Sequence, residues 1–285
     1  MISAAVCLIV KNEAKYMVEW IAHYLALGFD EIFVYDNGST DNTFSVMESL
    51  ARRERCIRLK AWPDVAGEVP QITAYNDAAG LVESDWLAFF DADELLVLKR
   101  HACIQDFLAR YPAQAGAVAI NWQLFGSSGA LDYVDELQSV RFRRCTRDEP
   151  LTKNRHVKSI VRVGSIVQAS SHIASLKPGY LYYDEQVEPV GIIEGAKTVV
   201  PTHVVSQLNH YVVRSAQEFR EKRARGNVAR VSDAADKFGR DDAFWRSHDR
   251  NDQEDSSIDP WIDRAGHIRS RLRYHLAEDG VSTRR

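Results

Sequence analysis

The chain is short of the residues that would mark a specialised scaffold. It has 4 cysteines among 285 residues, widely spaced at Cys7, Cys56, Cys103 and Cys145 with no C-x-x-C pair. A disulfide framework and a zinc ribbon are therefore excluded, and free thiols of a reducing cytoplasm are expected. Neither charge sign dominates: Lys+Arg is 36 and Asp+Glu is 40, for a net charge of −4. That balance argues against a general nucleic-acid binder, which is normally basic. No apolar run reaches the ~18 residues that span a bilayer. Met1–Val10 has an apolar centre but no basic leader, and Lys11-Asn12-Glu13 stands where a cleavage site would fall. It reads as a buried strand rather than a signal peptide. Also missing are G-x-G-x-x-G, G-x-x-x-x-G-K-[ST] and H-E-x-x-H, hence the dinucleotide cradle, the P-loop and the zinc-hydrolase helix.

What is present is an alternation of strands and helices over the first 125 residues. Ala4–Val10 is continuously apolar, as a strand covered on both faces must be. Met17, Trp20, Ile21, Tyr24 and Leu25 then follow a helical period, and Gly28 suits that helix's C-terminus. Glu31–Asp36 reads as the second strand, and Asn37–Asp41 as a turn supplying N-cap residues to a helix through Phe44, Met47 and Leu50. Ile57–Trp62, Asp85–Asp91 and Ala117–Phe125 are further strands, with helices over 72–82 and Ile104–Arg110. Such alternation implies an α/β fold, with a mostly parallel sheet and helices on both faces. Beyond Gly126 the rhythm weakens. Val140–Arg143, Ser159–Val163 and Tyr180–Tyr183 read as short strands, and 204–225 as a strand or turn entering a helix. Residues 233–255 read as an Asp-rich loop, and Trp261–Leu276 as an amphipathic helix.

In open sheets of this kind ligands bind beyond the carboxyl ends of the strands, so polar residues that end strands carry the chemistry. Phe89-Phe90-Asp91-Ala92-Asp93-Glu94 ends an apolar strand in three carboxylates. In extended chain Asp91 and Asp93 point the same way and offer hard oxygen donors to Mg²⁺ or Mn²⁺. A helix cap with acidic first-turn residues is the plain alternative. Asp36 ends the second strand and is placed to accept hydrogen bonds from a base or ribose. With no glycine-rich cradle, a nucleotide's phosphates need a metal here.

Leu8–Glu13, Val34–Asp41 and Trp86–Glu94, in this order and spacing, resemble family 2-like glycosyltransferases of the GT-A fold. Asn121-Trp-Gln-Leu-Phe-Gly-Ser-Ser-Gly129, His156–Arg162 and Asn209–Ser215 are similar to the bacterial branch related to glycosyltransferase family 92. The resemblance spans residues 4–228. It implies a GT-A domain over 1–228, divided into a nucleotide-sugar-binding half (1–125) and an acceptor-side half (126–228), with a helical and loop extension over 229–285.

Carried over by position, the resemblance puts Asp36 on the nucleoside with Asn12 and Glu13 beside it, and the metal on Asp91 and Asp93. Asn76 matches a polar position preceding the metal strand; Gln71 or Tyr75 stands in for an arginine missing before it. Lys11 replaces a common aromatic. Lys222 and Arg225, or Lys158 and Arg162, are candidates to clamp the diphosphate. The basic stretch 214–230 reads equally as a phosphate-facing lid or as a helix balanced by the acidic loop. His172 and His210 are candidate further metal ligands, though a histidine near apolar residues commonly packs. An inverting transfer needs a carboxylate to take the acceptor's proton. Asp184 and Glu185 are candidates, with Asp132, Asp135 and Glu94 competing; Glu94 equally suits support of the metal site. Trp122 and Phe125 offer a sugar platform or core packing.

The expected activity is transfer of a sugar from a nucleoside-diphosphate donor, UDP-linked, to the hydroxyl of a saccharide or glycolipid acceptor, with Mn²⁺ or Mg²⁺ and no nucleic acid partner. A cytoplasmic enzyme is expected, with the basic stretch able to meet anionic lipid at the inner face of a membrane. Two rivals are a sugar nucleotidyltransferase, which lacks its glycine-rich basic loop here, and a non-catalytic carbohydrate-binding relative, against which the intact Asp91/Asp93 pair argues.

Overall fold

The computed structural model describes residues 1–147, 153–224 and 241–283. Strand β1 (Ala4–Val10) is buried along its whole length. Helix α1 (Ala14–Leu27) ends at Gly28, whose φ of 90° lets its N–H return to Leu25 O; only glycine adopts that turn without strain. Then follow β2 (Glu31–Asp36), α2 (Thr43–Arg53), β3 (Ile57–Ala61), α3 (Pro70–Leu81) and β4 (Trp86–Phe89). A turn leads to β5 (Glu94–Leu98), α4 (Ile104–Leu108) and the long β6 (Ala115–Leu124). The second half holds α5 (Gln138–Arg141), β7 (Arg144–Cys145), β8 (Val157–Arg162), β9 (Ile166–Ala169), β10 (Ala174–Leu176) and β11 (Leu181–Tyr183). It closes with β12 (Ser206–His210), α6 (Ala216–Ala224), α7 (Asp242–His248), β13 (Gln253–Glu254) and α8 (Asp259–Glu278).

The main sheet runs β3-β2-β1-β4-β8-β6-β12-β5, with β11 beside β6. β3, β2, β1 and β4 are parallel, β8 reverses between β4 and β6, and β12 is again parallel to β6. β5 returns antiparallel to β12, pairing Glu94 with His210 and Leu98 with Ser206. β6 is shared: β11 lies along its first half and β12 along its second. This is the mostly parallel α/β sheet expected.

Two apolar layers cover the sheet. On one face Val6, Leu8 and Val34 meet Met17, Trp20 and Tyr24 of α1, and α8 joins the same core through Trp261, Leu272 and Leu276. On the other, Ala74, Tyr75 and Ala78 of α3 pack on Cys7, Phe33 and Phe89. None of the four cysteines forms a disulfide. Among the described residues no helix is long and apolar enough to cross a membrane.

Two local expectations fail. Val140–Arg143 is not a strand; α5 forms because Glu19 of α1 accepts the N–H groups of Gln138 (2.8 Å) and Ser139 (3.0 Å), satisfying a helix start from outside the segment. The described part of 233–255 is not merely loop either. Asp241 caps α7 by accepting from Phe244 N at 2.8 Å, and Phe244 and Trp245 pack on Phe219.

Candidate active site

The polar residues gather at the carboxyl ends of β1, β2, β4 and β12. β1 and β2 are tied together where they leave the sheet. Asn12, at φ 55°, accepts from Thr40 N (2.7 Å) and Asp41 N (3.3 Å), while its own N–H donates to Ser39 Oγ (3.0 Å). This fixes the turn after Asp36. Asp36 is buried, and its Oδ2 accepts from Ser39 N at 3.0 Å. Its Oδ1 is buried without a hydrogen-bond partner among the described residues, an arrangement proteins seldom leave in place without a use. Glu13, expected beside the nucleoside, is instead ion-paired to Arg214. Lys11 lies 3.7 Å from Asp64.

The segment Asp91–Asp93 is a turn rather than extended chain. Glu94 N donates to Asp91 O (3.0 Å) and Asp91 N donates to Glu94 Oε2 (2.8 Å). The expected common face is therefore replaced by two separate contacts. Asp91 Oδ2 meets Lys158 Nζ at 2.9 Å, and its Oδ1 accepts from Gln71 Nε2 (2.9 Å) and Tyr75 OH (3.2 Å). Gln71 and Tyr75 thus serve this turn from α3. Asp93 Oδ2 instead accepts from Lys222 Nζ, and His210 Nε2 stands 3.6 Å from the same oxygen.

Burial raises the Asp93 carboxyl, but Lys222 and then His210 outweigh it and hold it well below the usual range. For Lys158, burial opposes the charge while Asp91 and Glu94 restore it, leaving the ammonium more basic than usual. Burial pushes Glu94 up to about 8, against Lys158 and with Asp91 adding to the rise. Glu94 is inaccessible to solvent, and its Oε1 accepts from Trp122 Nε1 at 2.8 Å. It braces the acidic turn from beneath.

Trp122 is the hub of a ring cluster, with His210, His156 and His172 at 4.1, 5.1 and 5.2 Å between centroids. His172 Nδ1 donates to Val157 O at 3.0 Å, and burial lowers its pKa to about 4. Among the described residues no three His, Cys, Asp or Glu side chains converge on one metal position. Of the four expected ligands, only Asp93 and His210 are brought together; Asp91 turns to Lys158, and His172 packs on Trp122. Trp122 is nearly covered by this cluster and Phe125 is buried against Tyr211, 4.9 Å between centroids, so Phe125 belongs to the core.

Several expected residues lie elsewhere. Glu185 is fully buried and accepts from Val204 N, Val205 N and Ser206 N at 3.0, 2.6 and 3.0 Å. Ser206 and His210 are opposite ends of β12, roughly 13 Å apart at strand rise. Glu185 is thus a backbone clamp at the far end. Asp184 Oδ1 accepts from Gln186 N and Glu188 N within its own turn. Glu185 is thus spent on backbone amides away from the acidic turn, and Asp184 Oδ1 on its own turn. Asn76 is consumed in pinning α3 to β9, giving to Ile72 O and Ala169 O and accepting from Ala169 N. Arg225 lies outside the described residues.

Arg214 was not singled out by its sequence context, though it falls within Asn209–Ser215. It sits at φ 54°, buried, with Nη1 on Glu13 Oε2 (2.8 Å), Nε on Gln138 Oε1 (3.1 Å) and Nη2 on Ala92 O (3.2 Å). Its guanidinium lies 3.4 Å from the Tyr16 ring centroid. The same group therefore joins the end of β1 to the acidic turn. Beside it opens a cleft bordered by Asn12, Lys15, Tyr16, Asp41, Arg214 and Lys222.

The strand order and this strand-end centre define an α/β protein whose polar groups gather at the carboxyl edge of a mostly parallel sheet. The sequence profile of glycosyltransferase family 92 matches residues 2–232, and the chain belongs to that family. A family 92 protein of Ricinus communis is 31% identical over 128 residues, which is 44% of this chain and 23% of that one. One of Arabidopsis thaliana is 24% identical over 241 residues, covering 79% of this chain and 40% of the relative. The chain therefore spans less than half the length of these curated relatives. Among solved structures, Staphylococcus aureus TarS residues 1–349 aligns with 98% of this chain and 88% of its own at 14% identity and a TM-score of 0.41. Glucosyl-3-phosphoglycerate synthase of Mycobacterium tuberculosis, solved with Mn²⁺, UDP and glucosyl-3-phosphoglycerate, aligns with 42% of this chain and 44% of its own, at 21% identity and a TM-score of 0.31.

Proposed function

We propose that the chain transfers a sugar from a nucleoside-diphosphate donor, a UDP-sugar, to an acceptor hydroxyl with inversion, in glycan or envelope polysaccharide synthesis. Family membership supports the reaction class. The observation that carries the donor reading is the pairing of two strand ends around β1. Asp36, with its unpartnered buried oxygen, ends β2, while the Asp91–Asp93 turn follows β4, two strand spacings or about 10 Å away. A nucleoside at the first and a diphosphate at the second would lie across the end of β1.

The residues fit a divalent cation as a half-site. Asp93 Oδ2 and His210 Nε2 face each other at 3.6 Å, and phosphate oxygens would complete the shell, as carboxylate-poor Mg²⁺ and Mn²⁺ sites commonly require. An imidazole beside the carboxylate favours Mn²⁺ over Mg²⁺. When bound, the cation supplies Lewis-acid stabilisation of the departing diphosphate. Asp36 would orient the nucleoside, Glu94 and Lys158 would keep the acidic turn in shape, and Lys222 would meet phosphate. The backbone bonds of Asp184 and Glu185 speak against either as the acceptor's base.

Thermal-shift titration with UDP, GDP and CDP, with Mn²⁺ or chelator, tests this. A nucleotide at 100 times its Kd should add about 2.7 kcal/mol. UDP stabilisation that needs Mn²⁺ and is lost in both Asp36→Ala and Asp93→Ala is expected. Equal melting with and without every nucleotide would remove the donor site.

A further inference from the structure

Two lysines answer the two carboxylates of the acidic turn, and they are not equivalent. Lys158 projects from the middle of the sheet, is wholly buried, and lies between Asp91 Oδ2 at 2.9 Å and Glu94 Oε2 at 3.6 Å. Lys222 reaches in from α6, bonding Asp93 Oδ2 and Val212 O (3.1 Å), and it also borders the cleft beside Asn12 and Tyr16. Its four-carbon stem is flexible.

The oxygen that Lys222 holds is the one His210 Nε2 faces. A divalent cation bound to that oxygen and that nitrogen would compete with the ammonium for the same carboxylate oxygen. Two cations on one carboxylate oxygen also repel strongly in a buried site. Lysine and metal therefore exclude each other. Yet the carboxylate cannot be left bare, since an uncompensated buried charge is costly. Charge is conserved by a double exchange. A bound divalent cation would replace one positive charge with two, a diphosphate would bring the negative charge that balances the excess, and the displaced ammonium would be left to pair with phosphate in the cleft.

We propose that Lys222 is an exchangeable counter-ion: it keeps the Asp93–His210 seat neutral in the donor-free protein and is displaced when a divalent cation arrives together with a nucleoside diphosphate. This rests on the donor and cation reading above, and adds that the lysine makes cation uptake depend on the nucleotide. Protein without donor would then not collect stray divalent ions.

The test is Mn²⁺ binding followed by loss of the free-ion electron paramagnetic resonance signal, in wild type, Lys222→Met, Lys222→Gln and Lys222→Arg, with and without UDP. Asp93→Asn serves as the site control. Wild type should bind Mn²⁺ weakly alone, and UDP should tighten binding by about tenfold or more, within the usual range of coupling between sites. Lys222→Met should bind Mn²⁺ tightly without UDP and gain little from adding it, while Lys222→Arg should keep the nucleotide dependence. Lys222→Gln gives the same reading if the methionine variant does not fold. Equal Mn²⁺ affinity of wild type and the uncharged variants without UDP overturns the exchange and leaves the metal reading standing. No Mn²⁺ binding by any variant, with UDP present, overturns the metal reading and the exchange together.

Discussion

Arg214 Nη1 donates to Glu13 Oε2 at 2.8 Å from a backbone held at φ 54°. The two residues are 201 positions apart, and both are nearly inaccessible to solvent. Breaking a buried pair by deleting one partner typically costs about 3–5 kcal/mol. Arg214→Ala should therefore lower the unfolding free energy by that order, and Arg214→Lys should recover little because it lacks the planar fork that reaches Gln138 and Ala92. Full recovery by lysine in a urea melt would contradict the geometry.

Trp122→Phe keeps the ring among the histidines but removes the Nε1 donor to Glu94. Leaving a buried acceptor unsatisfied costs about 1–3 kcal/mol. The expected result is a lower melting temperature and weaker UDP–Mn²⁺ binding, because Glu94 also holds Asp91 N. Wild-type values for both would mean the brace is unimportant.

Acid should unfold the protein in two stages. His23 is buried with its Nε2 on Leu96 O, and burial lowers its pKa to about 4. Its folded form binds fewer protons than the unfolded chain, so its contribution, present above about 6.5, is lost as pH falls toward 4. For Glu218, burial is outweighed by Arg141, Arg214, Ser215 and Tyr16, which depress the carboxyl to about 2. Its contribution is present above the unfolded value near 4.5 and is lost on descending toward 2. His23→Gln should flatten the upper part of a stability-against-pH curve, and Glu218→Gln the lower part. An unchanged slope in either variant would count against the corresponding assignment.

Glu185→Ala orphans three backbone N–H groups at once, so a loss of several kcal/mol is expected. Below its melting temperature the variant should still bind UDP with near-normal affinity. Selective loss of transfer in a protein of unchanged stability would restore Glu185 to the chemistry.

The readable parts of the chain were those whose cause is local. β1, α1 and β2 announce themselves by a shift from continuous apolar residues to a helical period, and Gly28 marks its own turn. Asp36 and Asp91 stood out because each ends a strand. The rest depended on partners distant in sequence. The Asp91–Asp93 turn departs from extended chain because Glu94, itself anchored by Trp122, draws back Asp91 N. α5 exists because Glu19, 119 positions earlier, accepts Gln138 N. Glu185 looked like a free carboxylate only because nothing local reveals that three amides after position 203 would claim it.

The pairing of β5 with β12 has a consequence for how the protein is made. Among the described residues β5 (Glu94–Leu98) pairs only with β12 (Ser206–His210) in the main sheet. A ribosome has therefore released the Asp93 carboxylate long before the strand carrying His210 exists. During that interval the apolar edge of β6 waits for β8, β11 and β12 in turn. Contacts so far apart in sequence form slowly and leave sticky edges uncovered. Synthesis of this half is the stage at which a chaperone would matter most.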